Sequence, residues 1–332
     1  MLASFLAATF FALNATCASH SVRTVGSARA NLGRLVVAAL VLGTFAHTLG
    51  GGFTSASLAW FLLSGLIGMG LGDLGVYGAL PLLGSRITVL MTQCLAAPIA
   101  ALGEWVWLGT RLSLAQIAWG LLILTGVAVA ITPSKSSPPR VRIRPVGFLF
   151  GLLAACGQGL GALVSRKGVN VAEAAGEMAH NATFGLTAAY QRILAGLVFT
   201  VCWFLMLRAL GRQPFGPASP QRGQASYEAP HTGQVSCDAS HKGQADLTAG
   251  PARRRALGWM LANGLAGPVF GVGCYQWALA TTPSGIVLPI AATAPLLAIP
   301  IAFWLEGDRP TRRAIIGGVI AVAGCIALTA AR

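Results

Sequence analysis

The sequence predicts an all-α membrane protein with ten transmembrane helices in two inverted five-helix repeats. Three observations carry that expectation. The chain has 332 residues, 55% hydrophobic and only 10% charged, where a soluble domain is about a quarter charged. Its apolar residues fall into blocks near the ~20 that a helix needs to cross the hydrocarbon core. And from residue 75 to residue 126, a step of 198 residues returns the same residue or a close relative. Gly75 lands on Gly273, Tyr77 on Tyr275, Leu90 on Leu288, Gly109 on Gly307, Gly120 on Gly318 and Gly126 on Gly324.

The apolar blocks place spans at 2–18, 31–49, 58–80, 86–108, 114–132, 145–165, 185–207, 256–279, 284–305 and 313–331. Pro81, Pro133, Pro283 and Pro310 punctuate them. The first span follows no basic n-region, and its Leu-Ala-Ala segment at Leu6 recurs at Leu153. It therefore reads as a retained helix rather than a signal peptide. The spans divide into a first repeat over 1–132, a basic Pro/Ser linker over 133–144 and a second repeat over 145–331. Five crossings leave a chain on the opposite side of the bilayer, so the second repeat inserts upside down relative to the first.

An insert over 212–255 interrupts the second repeat. It is rich in Gly, Ser, Gln and Pro, and Gly-Gln recurs every ten residues at Gly223, Gly233 and Gly243. With little to bury, it reads as disordered. Assigning alternate loops to two faces puts 18 basic residues on one and 5 on the other, or 12 against 5 without the insert. The positive-inside rule then makes the richer face cytoplasmic and places both termini outside.

The formal charge of +14 does not point to nucleic acid, because the basic residues flank apolar blocks and form no aromatic-interleaved face. Six of the seven cysteines lie in apolar blocks, without the spacing of a zinc site. No GxxxxGK[ST] or HExxH motif is present. Glu177 and His180 have the spacing of a di-iron helix, but no second Glu-x-x-His accompanies them. No cofactor or metal is called for. With Glu173, they read as a polar face before the seventh span.

The two halves resemble the EamA domain. The first presents Leu66, Gly72, Tyr77, Ala79, Leu80, Pro98, Leu108, Gly109, Gly120 and Gly126. The second presents Tyr275, Ala278, Leu279, Pro295, Gly307, Asp308, Arg309, Pro310, Thr311, Gly318 and Gly324. Tandem EamA domains make a ten-helix member of the drug/metabolite transporter superfamily. The resemblance implies a secondary transporter in the cell (plasma or inner) membrane, often an exporter, of a small metabolite or drug. A proton or cation gradient is a candidate energy source. The chain departs from the family's Gly-Glu-Arg at Thr110 and Asp308, and from its habit of cytoplasmic termini. An integral-membrane scaffold and a lipid-modifying enzyme are the other function classes. The second would need an interfacial cluster of His, Asp or Glu.

Ionisable groups inside a bilayer are costly and mark function or pairing. Asp73 lies about seven residues inside the third span. It reads either as a site for a proton, cation or amine, or as a structural partner of Arg34. Arg34 and Arg192 sit early in the second and seventh spans, where snorkelling to the interface is expected of both. Glu104, near the end of the fourth span, is expected to snorkel too. Gln93, Gln158, Asn263 and Gln276 are polar residues at depth. With Asp73, the repeat-related Tyr77 and Tyr275, and Trp277, they form the expected substrate-contact set. Each could equally serve helix packing. Gly68 with Gly72, and Gly267 with Gly271, have the spacing for close helix approach.

Overall fold

Lipid offers no hydrogen-bond partner to a backbone, so apolar blocks of this length become helices. The structure, a computed structural model, describes residues 1–25, 27–132, 144–210, 250–298, 300 and 312–330. Every regular element among them is helical. Helices α1 (Leu2–Val25) and α2 (Ser27–Thr48) come first. Helix α3 (Leu58–Gly65) continues through a π-helical turn, Leu66–Leu71, into α4 (Gly72–Gly103), which ends in a second π turn, Glu104–Leu108. Helices α5 (Leu114–Ile131), α6 (Val146–Ala174) and α7 (Ala182–Ala209) follow. Helix α8 (Gly250–Gly264) passes through a π turn, Leu265–Gly271, into α9 (Val272–Thr281), and α10 (Ser284–Ala291) and α11 (Arg312–Ala330) complete the chain.

Seven segments among the described residues are long and apolar enough to cross a membrane. Two shorter apolar helices, Leu2–Ala18 and Ser284–Ala298, accompany them. The protein is a multi-pass membrane protein.

Helical backbone runs unbroken past Pro81, yet α4 supplies two arms. Gly75 lies against Ala154, Gly78 against Phe150, and Leu82 and Leu83 against Gly147, so the first arm runs antiparallel to α6. Met91 lies against Gly151, Ile99 against Gly159 and Gly103 against Leu163, so the second arm runs parallel to it. On a straight helix Gly75 and Ile99 would stand about 36 Å apart, whereas Ala154 and Gly159 are about 7.5 Å apart along α6. The chain therefore turns back between Leu83 and Met91. This agrees with separate spans at Leu58–Val76 and Ile87–Leu108.

Two boundaries differ from those expected. Helix α6 continues to Ala174, which places Arg166 and Lys167 inside a helix rather than in a loop. Helix α8 begins at Gly250, so the last residues assigned to the polar insert belong to a helix. Residues 211–249 of the insert, the linker over 133–143, and Glu306, Asp308 and Arg309 lie outside the described residues.

The halves exchange their packing partners. Helices α1 and α2 pack on α8 and its π turn, while α6 and α7 pack on α3 and its π turn. Gly65 of α3 lies against the backbone carbonyl of Arg192 in α7, and Gly264 of α8 lies against that of Arg34 in α2. Both contacts need glycine, because a Cβ would enter the neighbouring backbone or side chains. Both Gly-xxx-Gly segments are thus more than packing motifs: each lies within or borders a π turn, a local widening of the helix often found at functional sites.

Helices α5 and α11 make the most symmetric contact. Gly126 lies against Ala321 and Gly317, and Gly324 lies against Ile123 and Trp119. The 198-residue step converts each set into the other. Partners on α5 run backward as α11 runs forward, so the two helices are antiparallel. A local twofold therefore lies perpendicular to both axes.

Candidate functional site

The polar interior of the molecule is built where α3, α6, α7 and α9 meet. Ser64, at the last turn of α3, donates to the carbonyl of Gly161 at 2.5 Å and shares a 2.8 Å hydrogen bond with Ser165 of α6. Arg192 of α7 donates from Nη1 to Ser165 Oγ at 3.1 Å. With its amide oxygen turned toward the guanidinium, Gln276 of α9 accepts from Arg192 Nη1 and, at 3.0 Å, from Nε, while its Nε2 reaches Ser165 Oγ. The donors run in one direction, from Arg192 and Gln276 to Ser165, then Ser64, then the Gly161 carbonyl. All four side chains are buried, Arg192 at 3% exposure and Gln276 at 1%.

Arg192 therefore does not snorkel. Its guanidinium is held at a helix crossing because Gly65 and Gly68 leave room for it: a Cβ on Gly68 would stand 2.8 Å from Nη2. Its distance from either end of α7 (Ala182–Ala209) keeps the head from reaching water. Tyr275 and Asp73 lie close enough to feel its charge.

Two ion pairs flank this cluster. Arg34 Nη2 meets Asp73 Oδ2 at 3.1 Å, and Arg34 Nε donates to Asn31 Oδ1 at 2.7 Å. The structural-partner reading of Asp73 is thus the geometry observed. Glu104 is 1% exposed, against the snorkelling expected of it. It accepts from Arg166 Nε at 3.1 Å and from the backbone N–H of Ser284, the first residue of α10, at 3.0 Å. Arg166 Nη1 donates onward to the carbonyl of Leu279 at the end of α9. This cluster ties the second arm of α4 to α6, α9 and α10, and the carboxylate satisfies one of the helix-start donors that α10 would otherwise leave unpaired.

The other expected residues scatter. Tyr275 is buried and tilted against Phe11 at 6.2 Å. Trp277 donates from its indole to the carbonyl of His180 at 3.1 Å. Asn263 is buried at the end of α8, and its Oδ1 lacks a protein partner. Gln93 and Gln158 are half-buried on α4 and α6. Tyr77 is part of α4, and its side chain lies outside the described residues.

Among the described residues, two cavities lie beside this core. One of about 350 Å³ opens between the α2–α3 and α6–α7 loops, with Phe61, Thr187, Ala188 and Gln191 in its wall. Another of about 680 Å³ lies among the second arm of α4, α5 and α10, lined by Ala97, Ala101, Trp105, Leu121 and Pro289. Neither is lined by the residues expected to contact substrate. Ser165, Arg192 and Gln276 close the space between their helices by bonding to one another.

Sequence reasoning singled out Gln276 and Asp73 but missed Ser64, Ser165, Arg166 and the burial of Arg192 and Glu104. The available signal was an arginine seven residues inside the expected seventh span, 185–207.

Helices of membrane length, glycine-mediated crossings between halves and a buried polar centre define a polytopic membrane protein. The EamA-like transporter family model matches residues 1–132 and 242–330. The chain belongs to that family. Of 29 solved chains that match, one described as a crystal structure of a protein aligns with a TM-score of 0.67 at 16% identity, over 99% of this chain and 96% of that one. That likeness concerns the fold alone. No curated protein matches the chain.

Proposed function

We propose that the protein is a secondary transporter that moves a small metabolite or drug across the cell (plasma or inner) membrane by alternating access, in the export direction. Its frame is ten helices in two inverted five-helix repeats, 1–132 and 145–331, joined by a linker over 133–144 and interrupted by a polar insert over 212–255. The single observation that supports this most is the exchange of packing between halves. The first two helices of each half seat on the π-bulged helix of the other, around a buried polar centre. Substrate sites of inverted-repeat transporters lie at such seams, and the antiparallel, self-symmetric α5–α11 contact agrees with a pseudo-twofold axis in the membrane plane.

The substrate path runs through this seam. Asp73, Tyr77, Gln93, Gln158, Asn263, Tyr275, Gln276 and Trp277 are the proposed substrate contacts, to be brought onto one path when the seam opens, with Gln276 nearest Arg192. A coupling proton or cation is expected at Asp73 when its contact with Arg34 opens. A metabolite and drug sensitivity screen, comparing overexpression with deletion, supplies candidate solutes. Purified protein in proteoliposomes should then carry at least one of them down an imposed gradient. Absence of flux for every candidate from correctly inserted protein rejects the transport reading.

A further inference from the structure

We infer that Arg192 is the recognition residue for an anionic substrate, one whose carboxylate or phosphate oxygens bind the guanidinium in place of the Gln276 amide. This rests on the transport reading and names its substrate class.

The argument begins with charge. A buried guanidinium is expensive unless an anion and hydrogen bonds compensate it. Among the described residues every carboxylate is engaged elsewhere. Asp73 is on Arg34, and Glu104 is on Arg166 and the N–H of Ser284. Glu173 is on His180, and Glu177 is on Ser55 Oγ and the N–H of Ala56. Asp73 is near enough to act on Arg192 at a distance, but its oxygen is bonded to the other arginine. The hydrogen-bond partners of Arg192 are neutral: a serine hydroxyl and an amide oxygen.

Geometry points the same way. The Gln276 oxygen lies against Nε and Nη1 of the guanidinium, so a neutral acceptor occupies a place where an anionic oxygen would make the stronger, charge-assisted hydrogen bond. Arg192 Nη2 faces Gly68, where a side chain would fill the space, and among the described residues it donates to nothing. The 350 Å³ cavity reaches Gln191, the preceding residue, whose Oε1 is buried without a partner. Neither Arg192 nor Gln276 lines that cavity, so an anion reaches the guanidinium when the surrounding helices part and the amide of Gln276 turns aside.

The internal repeat supplies an independent comparison. Arg34 and Arg192 occupy matching places against Gly264 and Gly65. The first repeat gives its arginine Asp73. A 198-residue step from Asp73 lands on Gly271, so the second repeat has no carboxylate to offer there.

The test uses the full chain purified in detergent. Thermal unfolding is followed with a panel of 2-amino and 2-hydroxy monocarboxylates, each matched with its primary amide, and with inorganic phosphate. At least one of the anions should stabilise the wild type, and the amides should not; the responding arm tells carboxylate from phosphate. Arg192→Gln should weaken that response about tenfold to a hundredfold, and Arg192→Lys should not restore it, because an ammonium lacks the planar fork. Gln276→Glu guards against a variant that merely misfolds. It places a carboxylate on the guanidinium, so the protein should remain folded and lose the anion response. Stabilisation by the amides equal to that by the acids overturns the inference. So does an anion response that survives in Arg192→Gln or Gln276→Glu, or the lack of any anion response. Flux of a neutral or cationic solute that persists in Arg192→Gln keeps the transport reading and rejects this one. Anion binding without flux of any solute does the reverse.

Discussion

Arg34 and Arg192 begin from equivalent places in the two halves and end in different electrostatic states. Each lies on the second helix of its half, with its carbonyl against a glycine of the opposite half. Arg34 is part-exposed and closed off by Asp73. Arg192 is buried and bonded to neutral groups. A duplicated frame thus preserves backbone crossings while its polar fillings diverge. The half that keeps its own counterion is suited to holding structure, and the half without one is suited to receiving a charge.

The largest effect that tests this contrast is expected at Arg192. Replacing it by Met removes a buried cation without orphaning a described carboxylate. The thermal midpoint should hold or rise, since apolar replacement of buried charge is often neutral or stabilising, while proteoliposome flux falls by about a hundredfold. A flux unchanged by Arg192→Met would erase the distinction between the arginines.

Next in size is the opposite behaviour at the other arginine. Asp73→Leu removes the contact between Arg34 and this carboxylate and should lower stability by about 1–3 kcal/mol, the range between exposed and fully buried pairs. Adding Arg34→Met should recover much of that loss. A double variant no more stable than Asp73→Leu would show that the pair is not what holds the first half. A topology measurement then places the arginines relative to the two faces: a reporter fused after Arg332 should signal from the exterior. The smallest effect is expected from deleting 216–250. Flux should stay within about twofold of the full chain, as befits a segment with little apolar surface to bury; a larger loss in inserted protein would give the insert a role.

The frame was legible because membrane insertion writes itself into composition. Leu, Val, Ala and Gly blocks located the helices, and the echo of Gly126 in Gly324 foretold two residues that pack in mirrored fashion. Even the reversal after Leu83 was marked by Pro81, although helical backbone continues past it. The polar centre was less legible, because its partners are distant in the chain. Gln276 bonds Ser165 from 111 residues away, and Ser284 bonds Glu104 from 180. Glu104 beside Trp105 looked like an interfacial carboxylate because local sequence holds no trace of Arg166 arriving from the other half. Arg192 and Arg34 looked alike for the same reason. What separates them is Asp73 beside one and Gln276 beside the other, and both are contacts of tertiary packing.

The α5–α11 seam has a mechanical consequence. If the halves trade conformations during a transport cycle, a set of contacts that exchange of the halves maps onto itself has no reason to change. Gly126, Gly317, Ala321 and Gly324 would then act as the axle of the machine, still while the outer helices rock around it. Cysteines placed at Ile123 and Ala321, which already carry side chains on this seam, and locked by a short crosslinker should leave turnover intact, where the same lock between α3 and α7 should stop it.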